Sequence, residues 1–289
     1  MKKITAIVLA ALMAFSLVAC GGSPASTPAE SAPETNIVID PAAFEQFTGP
    51  SIDAIKEKGV LTMVTEAQYP PFEFLSPDGE FLGCDIWLGQ QIAAALGVEL
   101  KITDMAFDGI VPTIKAGQAD VGIAALTYSA ERAEEVDFSL PYIESPQKLV
   151  VMKGNEDLYK SLADLSGKVL GAQRGTVQSE IITGMITGAE LFELDKWPNV
   201  AMEVAGGKID GLVVDEPVAM NMVESNDKLV LANFEFSKDE VSAGEAIILQ
   251  KDKDDLMELV NAVVEAVEGD KGFNAAYDQA VQQSADLGL

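Results

Sequence analysis

The sequence predicts an α/β protein in which parallel strands alternate with helices in two similar lobes. Apolar strand-like runs alternate with segments of helical period, which is the pattern of parallel sheets. A short G-x-x-D motif that leads into an apolar strand occurs twice, at 117–123 and at 207–213. The 289 residues are enough for two lobes with separate cores.

Each element has a local signal. A helix is predicted over 51–58, capped by the Ser51 hydroxyl, and a first strand over 60–65. An Asp-Gly turn predicts a hairpin over 72–82, and a glycine ends the helix that follows. The other predicted elements are helix 86–96, strand 99–103, helix 107–117, strand 120–125, strand 168–173, strand 211–214 and helix 256–267.

Composition excludes several classes of function. The chain has 46 acidic and 19 basic residues and a formal charge of −27. It therefore repels phosphate backbones, and we expect no nucleic-acid binding. The absence of His removes Ser-His and Cys-His nucleophile pairs and the commonest metal ligand. The acidic run at 251–255 lacks the glycine and glutamate spacing of a calcium loop, so we expect no metal.

The first residues are typical of an export signal. Two lysines precede an apolar run over 4–18, which is shorter than the roughly 20 residues of a membrane-spanning helix. The run ends in LVACGG at 17–22, which resembles a bacterial lipobox with Cys20 as the lipidated residue. We expect a signal peptide over 1–19 and a flexible, Pro-rich, lipid-anchored tether over 20–50.

This interpretation places the protein outside the cytoplasm, anchored by lipid to the outer face of the cell membrane. If Cys20 is acylated, Cys84 has no partner for an internal disulfide. The strand-like, apolar surroundings of Cys84 predict a small buried hydrophobic residue rather than a reactive thiol.

Six motifs in a fixed order resemble those of a known family. They are YPPFEF at 69–74, GCDI at 83–86, FDGIVP at 107–112, ERA at 131–133, VDFSLPY at 136–142 and VDEP at 214–217. The set is similar to the polar amino-acid-binding proteins of ABC importers, the bacterial extracellular solute-binding proteins of family 3. The resemblance covers about residues 51–289 and implies the type II periplasmic-binding fold, in which two Rossmann-like lobes joined by two hinge strands close on a ligand.

The family pattern also implies how the body is divided. Residues 51–143 and 246–289 would form lobe 1, and residues 144–245 would form lobe 2. The implied protein is a monomeric binding protein rather than an enzyme, without a cofactor. Its implied partners are a free polar amino acid and the transmembrane permease subunits of an importer.

The charged groups of a free amino acid indicate what each implied site residue would bind. Burying its two charges is costly unless each one meets a partner. Arg132 offers a planar fork for the carboxylate, and Thr127 and Thr176 complete that clamp, the latter at a helix start. Asp215 is the predicted ammonium partner, with a helix N-cap as its alternative role. Ala125 can contribute only its carbonyl.

A second group of residues is predicted around the ligand side chain. Tyr69, Phe72 and Phe107 would line this part of the pocket, although core packing is the commoner role of aromatic residues. Glu66 would favour an amide, ammonium or guanidinium and disfavour an acidic ligand. Three residues near the second-lobe clamp would tune selectivity: Gln173, Arg174 and Gln178.

Three alternatives remain beside import. An amino-acid sensor would need a partner receptor, because no transmembrane or kinase segment is attached. A cyclohexadienyl (prephenate or arogenate) dehydratase on the same fold would need a carboxyl general acid, and the intact amino-acid clamp disfavours it. A structural lipoprotein without a ligand is the third. The sequence leaves the identity of the amino acid open.

Overall fold

The computed structural model describes residues 36–237 and 244–289, apart from the side chain of residue 270. The predicted signal peptide and the lipidation site at Cys20 lie outside these residues. Thirteen strands are described: β1 Val60–Thr65, β2 Gln68–Tyr69, β3 Glu73–Leu75, β4 Phe81–Leu82, β5 Glu99–Asp104, β6 Val121–Gly122, β7 Asp137–Ile143, β8 Gln147–Met152, β9 Val169–Gln173, β10 Glu190–Leu194, β11 Gly211–Asp215, β12 Leu229–Leu231 and β13 Glu245–Leu249.

Helices cover the sheets that these strands form. The described α-helices are α1 Pro50–Lys58, α2 Cys84–Leu96, α3 Ile110–Lys115, α4 Ala130–Glu135, α5 Val177–Met185, α6 Trp197–Ala205, α7 Glu216–Ser225, α8 Asp254–Val267 and α9 Phe273–Leu287. In the described parts of the chain, no helix is both long enough and apolar enough to cross a membrane.

Two five-stranded sheets share one topology. The first has the order β5-β1-β6-β13-β7 and the second the order β10-β9-β11-β8-β12. In each, three parallel strands are followed by an antiparallel strand, β13 in the first sheet and β8 in the second. The predicted α/β class with two Rossmann-like lobes is therefore confirmed. We call the parts built on the first and second sheet lobe 1 and lobe 2.

The repeated G-x-x-D motif makes the same pair of hydrogen bonds in both lobes. In lobe 1, Asp120 Oδ2 accepts a hydrogen bond from the Thr62 amide at 2.8 Å, and its own amide donates to the Thr62 carbonyl. In lobe 2, Asp210 Oδ2 accepts from the Val169 amide at 2.9 Å, and its amide donates back in the same way. The glycine that opens each motif has φ of +66° or +67°. The motif thus aligns the entry of one strand with its parallel neighbour.

The chain passes between the lobes at two adjoining places. It leaves lobe 1 at the end of β7 and enters β8 four residues later. It returns through β13, where Glu245 pairs with Ile143 of β7. These side-by-side crossings form the hinge between the sheets.

The segment before α1 packs on the body. Residues 36–49 lie within the predicted tether, where the apolar residues of 37–49 allow docking, and Ile39 and Phe44 are buried against the body. Trp87 Nε1 of α2 donates to the Asn36 carbonyl at 3.0 Å. Apolar burial together with hydrogen bonds to α2 orders this segment from residue 36 onward.

Two local predictions are wrong in detail. The Ser51 hydroxyl does not cap α1, because Asp255 of α8 does so: its Oδ2 accepts from the amides of Ser51 and Ile52 at 2.7 and 3.1 Å. Cys84 is buried, as predicted, but it begins α2 instead of lying in a strand.

Candidate functional site

Polar side chains from both lobes meet where the parallel strands end, which is where open α/β sheets bind ligands. The cavity there is lined by all the predicted site residues except Phe72 and Arg174. Its lining residues are Glu66, Tyr69, Glu73, Phe107, Ala125, Thr127, Arg132, Gln173, Thr176, Val177, Gln178, Trp197 and Asp215. Lobe 1 contributes the residues up to Arg132, and lobe 2 contributes the rest.

Arg132 spans the two lobes. The Ser129 hydroxyl caps the start of α4 by accepting from the Arg132 amide at 3.2 Å, which fixes the position of the side chain. The guanidinium donates to the carbonyls of Thr127 at 2.6 Å and Gly175 at 2.9 Å. It also lies 5.4 Å from the ring centre of Phe107, within cation–π range. Burial lowers the pKa of this guanidinium, which stays charged.

Asp215 ends β11 and is buried. Its carboxylate accepts from the Tyr69 hydroxyl at 2.5 Å, from Gln147 Nε2 at 2.5 Å and from Gln178 Nε2 at 3.2 Å. Although Asp215 occupies the N-cap position of α7, its side chain makes no capping bond. Burial raises its pKa to about 6, while the three donors and Arg132 favour the anion. The carboxylate therefore faces the cavity and is not used to cap the helix.

Ala125 adopts a backbone conformation that L-residues rarely take. Its φ of +44° lies in the left-handed region, which costs roughly 1–2 kcal/mol for a residue with a Cβ. Its amide donates to Asp85 Oδ2 at 2.7 Å, and the same oxygen accepts from the Tyr142 hydroxyl at 2.9 Å. Asp85, a fully buried residue of α2, thus holds this part of the cavity wall.

Thr127 and Thr176 both line the cavity, but they make different contacts. Thr127 forms an isolated bridge with Glu245, and its carbonyl holds Arg132. The hydroxyl of Thr176, which was predicted to contact a carboxylate, donates to the Gln173 carbonyl at 2.7 Å. A ligand would have to compete with that bond for the hydroxyl.

Two further carboxyl groups, those of Glu66 and Glu73, line the cavity. Glu66 is 3% exposed, and burial raises its pKa to about 8, while a hydrogen bond with Gln173 acts in the opposite direction. Glu73 is also buried, and burial raises its pKa as well. Among the lining residues, all of which are described, Arg132 is the one cation against three carboxyl groups. The cavity therefore has an excess of acidic groups.

Aromatic rings close one side of the site. Tyr69 stacks on Trp197 of lobe 2 with ring centres 5.6 Å apart, and Phe72 stacks on Tyr69 at 5.8 Å. Phe72 is fully buried behind Tyr69 and does not line the cavity. Arg174 also lies outside the lining and pairs with Asp195 at 3.1 Å.

Sequence reasoning missed three lining residues: Glu73, Val177 and Trp197. The one sequence signal for Glu73 is its place between Phe72 and Phe74. Trp197 begins α6 just before a proline, which indicates a helix start but no contact across the lobes.

The volumes of the cavities show how a ligand would be admitted. The acidic cavity measures about 10 Å³, about the room for one water molecule, so the lobes must part to admit anything larger. A second groove of about 460 Å³ lies beside Trp197 and is lined by Phe74, Met202 and Leu289 among others. Among the described residues, no charged side chain lines this groove, so these side chains cannot pair the charges of a zwitterion.

Comparison with known proteins agrees with this architecture. The L-cystine-binding protein TcyJ of Escherichia coli (strain K12) is 33% identical over 225 residues, which cover 78% of this chain and 83% of that protein. The ABC transporter arginine-binding protein 1 of the same strain is 28% identical over 214 residues, with coverage of 74% and 87%. The amino acid ABC transporter substrate-binding protein AbpA of Streptococcus pneumoniae, solved with L-arginine bound, superposes with a TM-score of 0.77 at 31% identity and covers 80% of this chain and 98% of its own.

The family comparison covers both lobes. Residues 61–283 match the model of the bacterial extracellular solute-binding proteins, family 3. This range includes both sheets, apart from Val60 at the start of β1, and every residue that lines the acidic cavity. The chain therefore belongs to the family-3 bacterial extracellular solute-binding proteins.

Proposed function

We propose that the protein is the extracytoplasmic substrate-binding subunit of an ABC importer for an amino acid with a cationic side chain. The excess of buried carboxyl groups in the cavity supports this proposal most strongly. The family and the relatives named above are binding proteins, and the protein is a binding protein rather than an enzyme.

Charge pairing leads from the lining to the ligand class. The carboxylate of an amino acid pairs with the Arg132 fork, and its ammonium pairs with Asp215. The α-carboxylate and the α-ammonium of the ligand then occupy one cation and one anion of the site. Glu66 is left for the side chain, together with the acceptor oxygen of Gln173. Burial raises the pKa of Glu66 to about 8, so Glu66 is protonated at pH 7 while the site is empty. A cationic side chain lowers that pKa and restores a carboxylate with which it pairs, whereas a neutral or acidic side chain gains no such pair.

The named relatives offer two ligand classes. The AbpA structure contains L-arginine, and TcyJ is named for L-cystine. Cystine would bring a second ammonium and a second carboxylate toward Glu66. Glu66 could pair with the ammonium, but no second cation stands among the described lining residues to receive the carboxylate. The charge balance therefore favours the arginine class over cystine.

The binding cycle that we propose follows from contacts between the lobes. With the lobes apart, the ligand binds Arg132 and the aromatic residues of lobe 1. Closure then adds Thr176 and Asp215 of lobe 2. The Arg132–Gly175 hydrogen bond and the Tyr69–Asp215 hydrogen bond join the lobes in the closed form, which the permease would recognise.

The cellular setting belongs to the same proposal. A signal peptide over 1–19 and a lipid on Cys20 would keep a monomeric binding protein at the outer face of the membrane. With residues 36–49 packed on the body, the tether we propose spans 20–35 and is shorter than the sequence alone indicates. We also propose lobe boundaries at 143/144 and 245/246, and the end of β7 at Ile143 and the start of β13 at Glu245 support them.

A titration calorimetry experiment with matched ligands tests the ligand class. L-Arginine and L-citrulline have nearly the same shape, but citrulline carries a neutral urea group. We expect arginine to bind at least about 100-fold more tightly, because a buried charge pair is worth about 3 kcal/mol or more when one partner is removed. Glu66→Gln should reduce this ratio, and Glu99→Gln at an exposed position of β5 should not. Equal affinities for the two ligands in the native protein would refute the proposal.

A further inference from the structure

Glu73 is a buried acid of the cavity that the clamp described above does not use. It lies in β3, is 1% exposed and lines the cavity. Glu73 Oε2 and Asp85 Oδ1 are buried, and neither has a hydrogen-bond donor among the described residues. Burial and the neighbouring Asp85 carboxyl group raise the pKa of Glu73. Two neighbouring buried carboxyl groups without other donors can satisfy each other only when they share a proton.

The surroundings decide which of the two acids keeps the proton. Asp85 receives two donors, the Ala125 amide and the Tyr142 hydroxyl, and these stabilise its anion. Glu73 receives no donor apart from the shared proton, so the proton belongs to Glu73 and Asp85 carries the charge.

The charged and titratable groups that face this pair strengthen the assignment. Glu66 and Asp215 face Glu73 from the cavity, Asp85 faces it from α2, and burial together with these acids raises the pKa of Glu73. Around Asp85, the groups are Glu73, the Tyr142 hydroxyl, the Cys84 thiol and Glu245. None of these groups is a cation, and Arg132 is held at the Thr127 and Gly175 carbonyls.

We infer that Glu73 is a further specificity-determining residue of the amino-acid site, acting as a neutral carboxyl group that donates to Asp85 and offers an oxygen to the ligand side chain. This inference rests on the proposed function, because it concerns the same ligand. A guanidinium has five donors in a planar fork, whereas an ammonium has three on one atom. The Glu66 carboxylate and the Glu73 acceptor lie on different segments of the wall, so they suit a fork better than a point charge. The site should therefore prefer arginine to lysine.

Two substitutions at Glu73 test the inference. Glu73→Gln imitates the protonated acid, since its amide can donate to Asp85 and still present an oxygen to the cavity. Glu73→Met has a similar length but offers neither group. We expect Glu73→Gln to bind L-arginine within about threefold of the native protein. Glu73→Met should bind it about 10- to 100-fold more weakly, the effect of losing a hydrogen bond to a charged group, with a smaller ratio of arginine to lysine affinity.

Calorimetry with L-arginine and L-lysine, together with thermal unfolding to check that each variant is folded, separates the outcomes. If Glu73→Gln loses more than tenfold in arginine affinity, Glu73 acts as an anion and the inference is overturned. If folded Glu73→Met keeps both the native affinity and the native ratio, Glu73 does not contact the ligand. In both cases the native protein still prefers arginine to citrulline, whereas failure of the proposed function would remove that preference from the native protein itself.

Discussion

Asp215→Asn separates ligand binding from folding more sharply than any other substitution in the site. The change keeps the shape of a residue that is 2% exposed and removes only its charge. It leaves the ligand ammonium without an anion in a buried site, which costs about 2–5 kcal/mol. At 1.4 kcal/mol for each factor of ten, the affinity for L-arginine should fall roughly 30- to 4,000-fold.

The same substitution should stabilise the fold when no amino acid is bound. The pKa of Asp215 rises from 3.8 to about 6 on burial. The folded protein thus binds the proton more tightly than the unfolded chain, and stability falls as the pH rises from about 4 to 6. A shift of about two units corresponds to about 3 kcal/mol above pH 6. Asparagine avoids this penalty but loses part of the three-donor network, so we expect a gain of about 1–3 kcal/mol at pH 7.

Titration calorimetry and urea unfolding at pH 7 measure the two effects. Asp53→Asn on the exposed face of α1 removes the same charge far from the cleft and should change neither quantity by more than about 0.5 kcal/mol. Native affinity in Asp215→Asn would refute the assignment of the ammonium partner. A loss of both affinity and stability would instead show that Asp215 is a structural residue.

Three further substitutions test the clamp, the closure of the lobes and the acidic pocket. Arg132→Lys keeps the charge but loses the planar fork, so calorimetry should show at least about tenfold weaker arginine binding; an unchanged affinity would exclude a bidentate contact. Gly175→Ala places a Cβ 3.1 Å from Asp108 Cβ at φ of +77°. The resulting strain of roughly 1–2 kcal/mol should weaken arginine binding about tenfold. The control Gly184→Ala in α5 has open space around its Cβ and should leave the affinity unchanged. Burial raises the pKa of Glu66 from 4.5 to about 8. Thermal unfolding of the free protein should therefore show that stability falls as the pH rises from 5 to 8, and that it falls more steeply than in Glu66→Gln. The same pH dependence of stability in both proteins would show that Glu66 is exposed to water.

The fold was predictable because its signals are local. Strand and helix periods, the Asp-Gly turn and the repeated G-x-x-D motif each act within a few residues, and both copies of the motif bond the neighbouring strand in the same way. Capping of α1 was not predictable, since its acceptor is Asp255, which lies 204 residues from Ser51 in the chain.

The site was predictable in part. The resemblance to the family assigned Arg132, Thr127 and Asp215, and the sequence also places Thr127 and Asp215 near strand ends, which the topology of the sheets brings together. Glu73 and Trp197 reach the cavity through contacts that the sequence does not express: a carboxyl pair with a helix residue in one case, and ring stacking across the lobes in the other.

A crystal structure of the protein with L-arginine tests the central claim most directly. We predict the ligand carboxylate on the Arg132 guanidinium, the ammonium within hydrogen-bonding distance of Asp215, and the side-chain guanidinium beside Glu66. A ligand bound elsewhere, or bound with Arg132 and Asp215 turned away from its two charges, would contradict the claim that the two lobes each neutralise one pole of a buried amino acid.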